Sequence, residues 1–467
     1  MRKLRIAVVA VWIVGCLAGM AWLLSEVTPA RADEPEVTAE AAVQTDKLVA
    51  DFQAADQYFG ASVALDQDLL IVGSPKVTSS LSRPSHVPGA ARLFRRDPNN
   101  PNRWIAVKTL TAPEGQADDG FGISVAVSGD AVVVGAPGTD VNNRAKAGAA
   151  YVFRRNQDGN DNWGQVAKVV SADVFTDDQF GRSVAISGNT LVVGAHLDNV
   201  FSGTFRSNQG AAYVFYRDQG GPDAWGFLKK LSGTDCITGD QFGVAVALDG
   251  DTLLVGARAH DPNRLTNAGA AYLFERNAGG SNAWGEIKKL VASGGGAGDQ
   301  FGQSVSIDGD TVVVGANAAD IDGQSNRGAT YVFSRNLGGP NGWGQVVRLI
   351  ALDGQAGDQF GSSVSLRSDT VVVGAPVAEV SGLKQQGAAY VYERAEGGAD
   401  NWGQSAKLIP SDGDVGDLFG SAVATSGSEY VVGAPRANLN YSVLDTGAVY
   451  VFVGNAKQVH LPIVSKQ

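Results

Sequence analysis

DQFGQSVSIDGDTVVVGA, residues 299–316, recurs along this chain seven times with small changes. A Phe-Gly pair opens the stretch, and an alternation of small and apolar residues follows. A tight turn leads into a run of β-branched residues that closes on Gly-Ala, often Gly-Ala-Pro. The opening residues are Phe59, Phe121, Phe180, Phe242, Phe301, Phe360 and Phe419. The closing ones are Gly73, Gly135, Gly194, Gly256, Gly315, Gly374 and Gly433, always 14 residues later. A unit of roughly 60 residues holding four strand-like runs reads as one propeller blade.

The fifth copy shows the four strand candidates at residues 303–308, 311–315, 329–335 and 344–351. The first alternates small and apolar residues, as a half-buried strand does. The second, TVVVGA, is apolar throughout and suits burial on both faces. Asp308-Gly309-Asp310 between them has hairpin-turn chemistry. The third begins with GATYVF, and a Trp stands 15 residues after its leading glycine in six copies: Trp104, Trp163, Trp225, Trp284, Trp343 and Trp402. Each Trp is 17 residues before the next Phe-Gly. Only one interval varies: from the closing glycine to the GAAYVF glycine the counts are 16, 13, 16, 13, 13, 13 and 14. All length variation therefore falls in the loop between strands two and three. In an antiparallel blade that loop shares a rim with the loop from strand four to the next strand one. Variable loops on a rigid scaffold are the usual place for binding.

The seventh copy lacks its Trp and its fourth strand. Lys47-Leu48-Val49-Ala50 matches the fourth strands that begin at Lys168, Lys230, Lys289, Arg348 and Lys407. The expected fold is all-β: a seven-bladed β-propeller of four-stranded antiparallel blades over residues 43–455. The N-terminal strand closes the ring in the last blade, removing an open edge. Residues 456–467 form a C-terminal tail that does not match strand four, either a fifth strand or a loose end.

Residues 1–32 read as an export signal. Met1 to Arg5 is basic, residues 6–24 are apolar, and Ala30-Arg31-Ala32 places the cleavage after Ala32. Nineteen apolar residues also suffice for an uncleaved anchor. Ile13-Val14-Gly15-Cys16 looks like a lipoprotein box, but the apolar run continues eight residues past Cys16. Residues 33–42 are acidic and aperiodic, a disordered lead-in. Removing residues 1–32 takes away four basic residues and one acid, leaving 33 basic and 47 acidic residues and a net charge of −14. That argues against nucleic acid and anionic lipid as partners. Cys236 would be the one remaining cysteine, so no intrachain disulfide forms and the core alone holds the fold.

The FG…VVGAP…GAAYVF pattern resembles the FG-GAP repeat family, found in integrin α-subunit propellers and exported bacterial proteins. The resemblance spans roughly residues 43–453 and implies seven blades with partners on the rim of the 2–3 and 4–1 loops. It also brings a contrast. Integrin α chains enlarge the 1–2 turn into a Ca²⁺ loop, whereas here that turn is Ser128-Gly-Asp130, Ser187-Gly-Asn189, Asp249-Gly-Asp251 or Asp308-Gly-Asp310. So short a turn cannot supply six to eight oxygens. No cofactor is expected, although other calcium sites stay open.

An Asp stands two residues before six of the Phe-Gly pairs: Asp119, Asp178, Asp240, Asp299, Asp358 and Asp417. A ring of cation-binding carboxylates competes with turn capping, and the uniform turn neighbours favour capping. The regular Trp suits packing better than sugar stacking. The Lys of strand four suits edge protection better than ligand binding. His196 with Asp198, and His260 with Asp261, fall in adjacent blades, but no ligand spacing supports a metal and loop histidines are ordinarily solvated. None of the common catalytic motifs is present, so no catalytic residue is assigned.

The expected function is a secreted or cell-surface interaction module, monomeric, binding an extracellular protein or glycan. A propeller-based glycan hydrolase or lyase, or an envelope or matrix component, is the alternative. The first loops to consider are residues 75–88, 196–209 and 258–267. The candidate binding residues are His196, Asp198, Phe201, Phe205, Arg206, Arg258, His260, Asp261 and Arg264, because arginine and aromatic side chains dominate binding hot spots.

Overall fold

A computed structural model of the chain describes residues 42–50, 57–75, 88–157, 159, 161–201, 205–396, 398, 401–438 and 445–454. The proposed signal sequence, its cleavage point, most of the lead-in and the tail at 456–467 lie outside them, as does most of the 75–88 loop. Among the described residues no helix is long and apolar enough to cross a membrane.

Seven four-stranded antiparallel sheets stand in sequence order. Blade 5 is typical. Its strands are Ser304–Asp308, Thr311–Ala316, Ala329–Ser334 and Gly344–Leu349. Asp308 pairs with Thr311, Gly315 with Thr330 and Thr330 with Leu349. The strand order from the channel outward therefore follows the chain order. Burial follows position. The second strand is buried along its whole length, because neighbouring blades cover both its faces. The first is half-buried because it lines the channel, and the fourth alternates because it is the outer edge.

The Phe-Gly pair fastens one blade to the next. Phe301 is fully buried, edge-on to Tyr331 at 5.5 Å and Phe333 at 6.0 Å. Such aromatic pairs add about 0.5–1.5 kcal/mol beyond area burial. The Phe301 amide donates to the Ala268 carbonyl of blade 4 at 2.9 Å, and Gly302 donates to Gly315 within blade 5 at 3.0 Å. Across the joint to blade 6, Gly328 and Phe360 form a parallel bridge, and Ser304 Oγ donates to the Gly361 carbonyl at 2.8 Å. These contacts bring backbone against backbone. A Cβ on Gly315 would sit 2.1 Å from the Gly361 oxygen, which no side chain tolerates.

The ring closes through the N-terminus. Val43–Leu48 pairs antiparallel with Ala448–Val453, placing Lys47 opposite Tyr450, so blade 7 takes its outer strand from the start of the chain. Phe59 bridges Gly447 as the other Phe-Gly pairs bridge their neighbours. The strand is longer toward the N-terminus than the Lys47–Ala50 match indicated. Its bulge at Gln44/Asp46 points Asp46 at the Trp104 amide, which it accepts at 2.9 Å.

The regular tryptophans are packing groups. Trp225, Trp284 and Trp343 are 1% exposed. Guanidinium groups lie over several of them, with Arg335 4.6 Å from the Trp343 ring. This leaves no face for a sugar.

Two substitutions separate the joint from mere glycine content. Gly315→Ala should lower stability by about 3 kcal/mol or more, since backbone must move. Gly309→Asn, at φ +55 with nothing within 4 Å of a Cβ, should change it by under about 1 kcal/mol. Urea unfolding midpoints of the two variants check this, and equal shifts would contradict the joint.

Candidate functional site

The rim of 2–3 and 4–1 loops carries two layers of polar groups, one repeated and one confined to three blades. The repeated layer is structural. Each Asp before Phe-Gly accepts the backbone N–H three residues upstream: Asp240 from Ile237 at 2.8 Å, Asp299 from Gly296 at 2.7 Å, Asp358 from Gln355 at 2.7 Å. They tie down the 4–1 turn, as side-chain capping does. Burial pushes the carboxyls of Asp119, Asp299 and Asp358 above the usual carboxylate range. Asp178 is pushed up to about 7, by burial first and by the Asp198 charge second.

The strand-four lysines are not merely edge charges. Lys168 meets Glu114, Lys230 meets Asp173, Lys289 meets Asp235 and Lys407 meets Asp353. The same carboxylates accept the Tyr151, Tyr213, Tyr272 and Tyr390 hydroxyls of strand three. Four 4–1 loops are thus each clamped to the blade they lead into by a Lys–carboxylate–Tyr contact.

The second layer sits at the channel mouth. Just past the Gly-Ala that ends strand two, most blades carry proline, such as Pro137 and Pro376. Blades 3, 4 and 5 carry His196, Arg258 and Asn317 there. Just past Phe-Gly, where strand one faces the channel, blades 1, 2 and 4 have Ala61, Ile123 and Val244. Blades 3 and 5 have Arg182 and Gln303, and blades 6 and 7 have serines. The two positions touch across the joints from blade 4 to blade 5 and from blade 5 to blade 6. Arg258 donates to Gln303 at 2.9 Å and to Gln241 at 2.8 Å, and Asn317 donates to Ser362 at 3.3 Å. One side of the mouth is therefore a continuous polar arc, and the other is proline and small residues.

Several loop residues expected to face solvent do not. His196 and His260 are 6% and 5% exposed, because the start of each 2–3 loop folds down over the sheet end. Burial, then the charges of Arg182 and Arg258, push the His196 imidazole down to about 3, and its Nδ1 has no partner. Asp198 is fully buried, pairs with Lys230 at 2.9 Å and accepts the Tyr213 hydroxyl. It is a clamp, not a surface anchor. Asp261 accepts the Asn267 amide at 2.7 Å, the same loop-closing contact that Asp320 makes to Asn326 at 2.9 Å. Arg206 donates to the Cys236 carbonyl and ties the blade 3 loop to the next 4–1 loop. Phe201 and Phe205 pair in a two-stranded ribbon, and their side chains lie outside the described residues. Arg264 is exposed, at φ +66, and is the last residue of the short turn Pro262–Arg264. Arg258 points to the channel mouth.

His196 and His260 do not share a metal-like arrangement. Instead Cys236, Asp240 and His260 gather within blade 4, their ligand atoms within 4.8 Å of one another. These groups satisfy each other: His260 Nδ1 bonds Asp240 at 2.7 Å. Burial keeps the Cys236 thiol protonated, pushed up to about 12.

Arg182, Gln303 and Asn317 were not singled out from sequence. The signal was there, in the breaks from proline after Gly-Ala and from small residues after Phe-Gly. Reading it requires knowing that those two positions meet across a blade joint.

These features define a closed seven-bladed propeller whose blade-to-blade differences gather on one rim. The sequence matches the FG-GAP repeat family over residues 42–85, 104–153, 163–215, 225–274, 284–333, 343–392 and 402–452. The chain belongs to that family. Most matched units run from the fourth strand of one blade into the third of the next, so the family unit straddles two blades. No curated protein matches the sequence. The fold is similar to that of a chain in a solved structure titled "Crystal Structure of Mitotic Checkpoint Complex", at 11% identity. The match covers 93% of this chain and 99% of that one, with a TM-score of 0.50. At that identity the likeness shows the fold alone.

His196 yields a pH prediction. Its folded pKa is depressed below the ordinary 6.5, so the unfolded chain takes up a proton that the native chain refuses. The stability it contributes is present above pH 6.5 and is lost as pH falls from there toward 3. His196→Gln should flatten the fall in stability between pH 7 and pH 4.5, measured by urea unfolding. An unchanged slope would contradict the buried neutral imidazole.

Proposed function

We propose that this protein is an exported, non-enzymatic interaction module that binds an extracellular protein or glycan through the 2–3 and 4–1 loop rim. The observation that carries the reading is the confinement of blade-to-blade differences in loop length to that rim. The rim holds the length changes, the cross-joint ties of Arg206 and Arg258, the exposed Arg264 and the polar arc of blades 3–5. The turns of the opposite rim keep one length from copy to copy and offer no such variation in shape. The export signal read at residues 1–32 supports a secreted or cell-surface location. The acidic balance supports a partner that is neither nucleic acid nor anionic membrane.

A non-enzymatic role agrees with how the rim carboxylates are used. The Asp residues before Phe-Gly cap turns, and Glu114, Asp173, Asp235 and Asp353 are held by lysines. A glycosidase needs two carboxylates free to face a sugar. The reading requires no cofactor and a single copy of the chain.

The test exchanges the loops at residues 196–209 and 258–267 for short turns and measures partner recovery and glycan-array binding. Recovery should fall at least tenfold while the melting temperature stays within a few degrees. Undiminished recovery would remove this rim from consideration, and turnover of any arrayed glycan would replace the module with an enzyme.

A further inference from the structure

Many arginines in the described structure meet carboxylates. Arg154 meets Asp130 and Asp223, Arg335 meets Asp310 and Glu275, and Arg394 meets Asp369. Arg258 and Arg182 differ. The Arg258 guanidinium donates to two amide oxygens, of Gln241 and Gln303, which carry no charge. Arg182 lines the channel, and among the described residues neither it nor Arg258 has a carboxylate within ion-pair distance.

The two side chains rise from adjoining chain ends. Gly181 precedes Arg182 and donates to the Gly194 carbonyl, two residues before His196. Gly194 packs on the Gly243 carbonyl, across the joint to blade 4, whose second strand ends at Ala257 before Arg258. The charges of Arg182 and Arg258 both act on His196, which is 6% exposed with its Nδ1 unpartnered. Arg258 also weakens Arg182's hold on its proton, after the larger effect of burial.

Guanidinium does not deprotonate in proteins. Two half-buried positive charges without a counter-charge are unfavourable, because desolvation is not offset by pairing. An anion from outside offsets it, and the guanidinium fork matches planar or tetrahedral oxyanions. The setting limits size. Three residues from each of seven blades line a channel cavity of about 260 Å³. That admits an acidic group or a monosaccharide, not a polymer passing lengthwise.

We propose that the channel mouth at blades 3–5 binds one oxyanion group, a carboxylate, sulfate or phosphate, between the guanidinium groups of Arg182 and Arg258. Gln303 and Gln241 hold Arg258 in place, and the neutral His196 imidazole offers Nδ1–H to the same group in one tautomer. The ligand is either a free anion or an acidic group at the end of a larger molecule. The inference rests on the proposed binding rim for its setting, and on Arg182 and Arg258 for its chemistry.

The experiment is isothermal titration of the whole protein, at low ionic strength, with sulfate, phosphate, acetate and glucuronate. One equivalent should bind, and Arg182→Gln and Arg258→Gln should each weaken it at least tenfold. Arg367→Gln, on the opposite rim, should leave it unchanged. Both channel variants should melt at or above the parent temperature without anion, since each removes an unneutralised charge. A purely structural arginine would lower it. Glucuronate binding more tightly than acetate identifies an acidic sugar as the source, and equal binding identifies a free anion. Absence of saturable anion binding, or binding by either channel variant as tight as the parent's, overturns the proposal. Loop exchange can still abolish partner recovery in that case, so failure of the anion site is distinguishable from failure of the rim.

Discussion

The whole ring depends on one steric condition: backbone must touch backbone where blades meet. At each joint a glycine at the end of strand two faces the carbonyl of the next Phe-Gly, with room for hydrogen alone. Gly73, Gly135, Gly194 and Gly374 face Gly122, Gly181, Gly243 and Gly420 as Gly315 faces Gly361. The close approach lets the Phe side chain sink between blades. It also lets the serine of strand one reach the neighbouring carbonyl, as Ser124 does to Gly181 at 2.9 Å. Small-residue contacts near the axis and larger aromatic and aliphatic groups outside give each blade its wedge. The high glycine content is thus the geometry of the joint and its turns.

From that condition the division of labour follows. The joint fixes where strand one begins and strand two ends, so the residues just beyond it are held rigidly at the channel mouth. Proline stiffens the exit in most blades, whereas blades 3, 4 and 5 use His196, Arg258 and Asn317 instead. A rigid scaffold thereby presents polar side chains with little conformational entropy left to lose on binding.

The fold was readable because a sevenfold repeat averages away local ambiguity. Constant spacings located four strands and the borrowed closing strand, and the capping role of Asp240 and its counterparts followed from turn chemistry. The site was less readable, for reasons of depth and neighbourhood. His196 and Asp198 occupy a segment that looks like a loop by composition, yet its first residues turn inward over the sheet. The lysines of strand four looked like edge protection because their carboxylate partners lie 54 residues away in the case of Lys168 and Glu114. Arg182 went unnoticed because its proposed role depends on the charge of Arg258 in the next blade, a neighbourhood that appears only after the blades are stacked.

Hydrogen exchange at the blade joints measures the central condition most directly. The Phe59 amide donates to Thr446 at 3.1 Å across the closing joint, and the Phe301 amide donates to Ala268 at 2.9 Å across an interior one. If one backbone lock is used around the ring, both amides should be protected to within about tenfold, exchanging only with large-scale opening. Rapid exchange at Phe59 with Phe301 still protected would show that the ring is not closed as described.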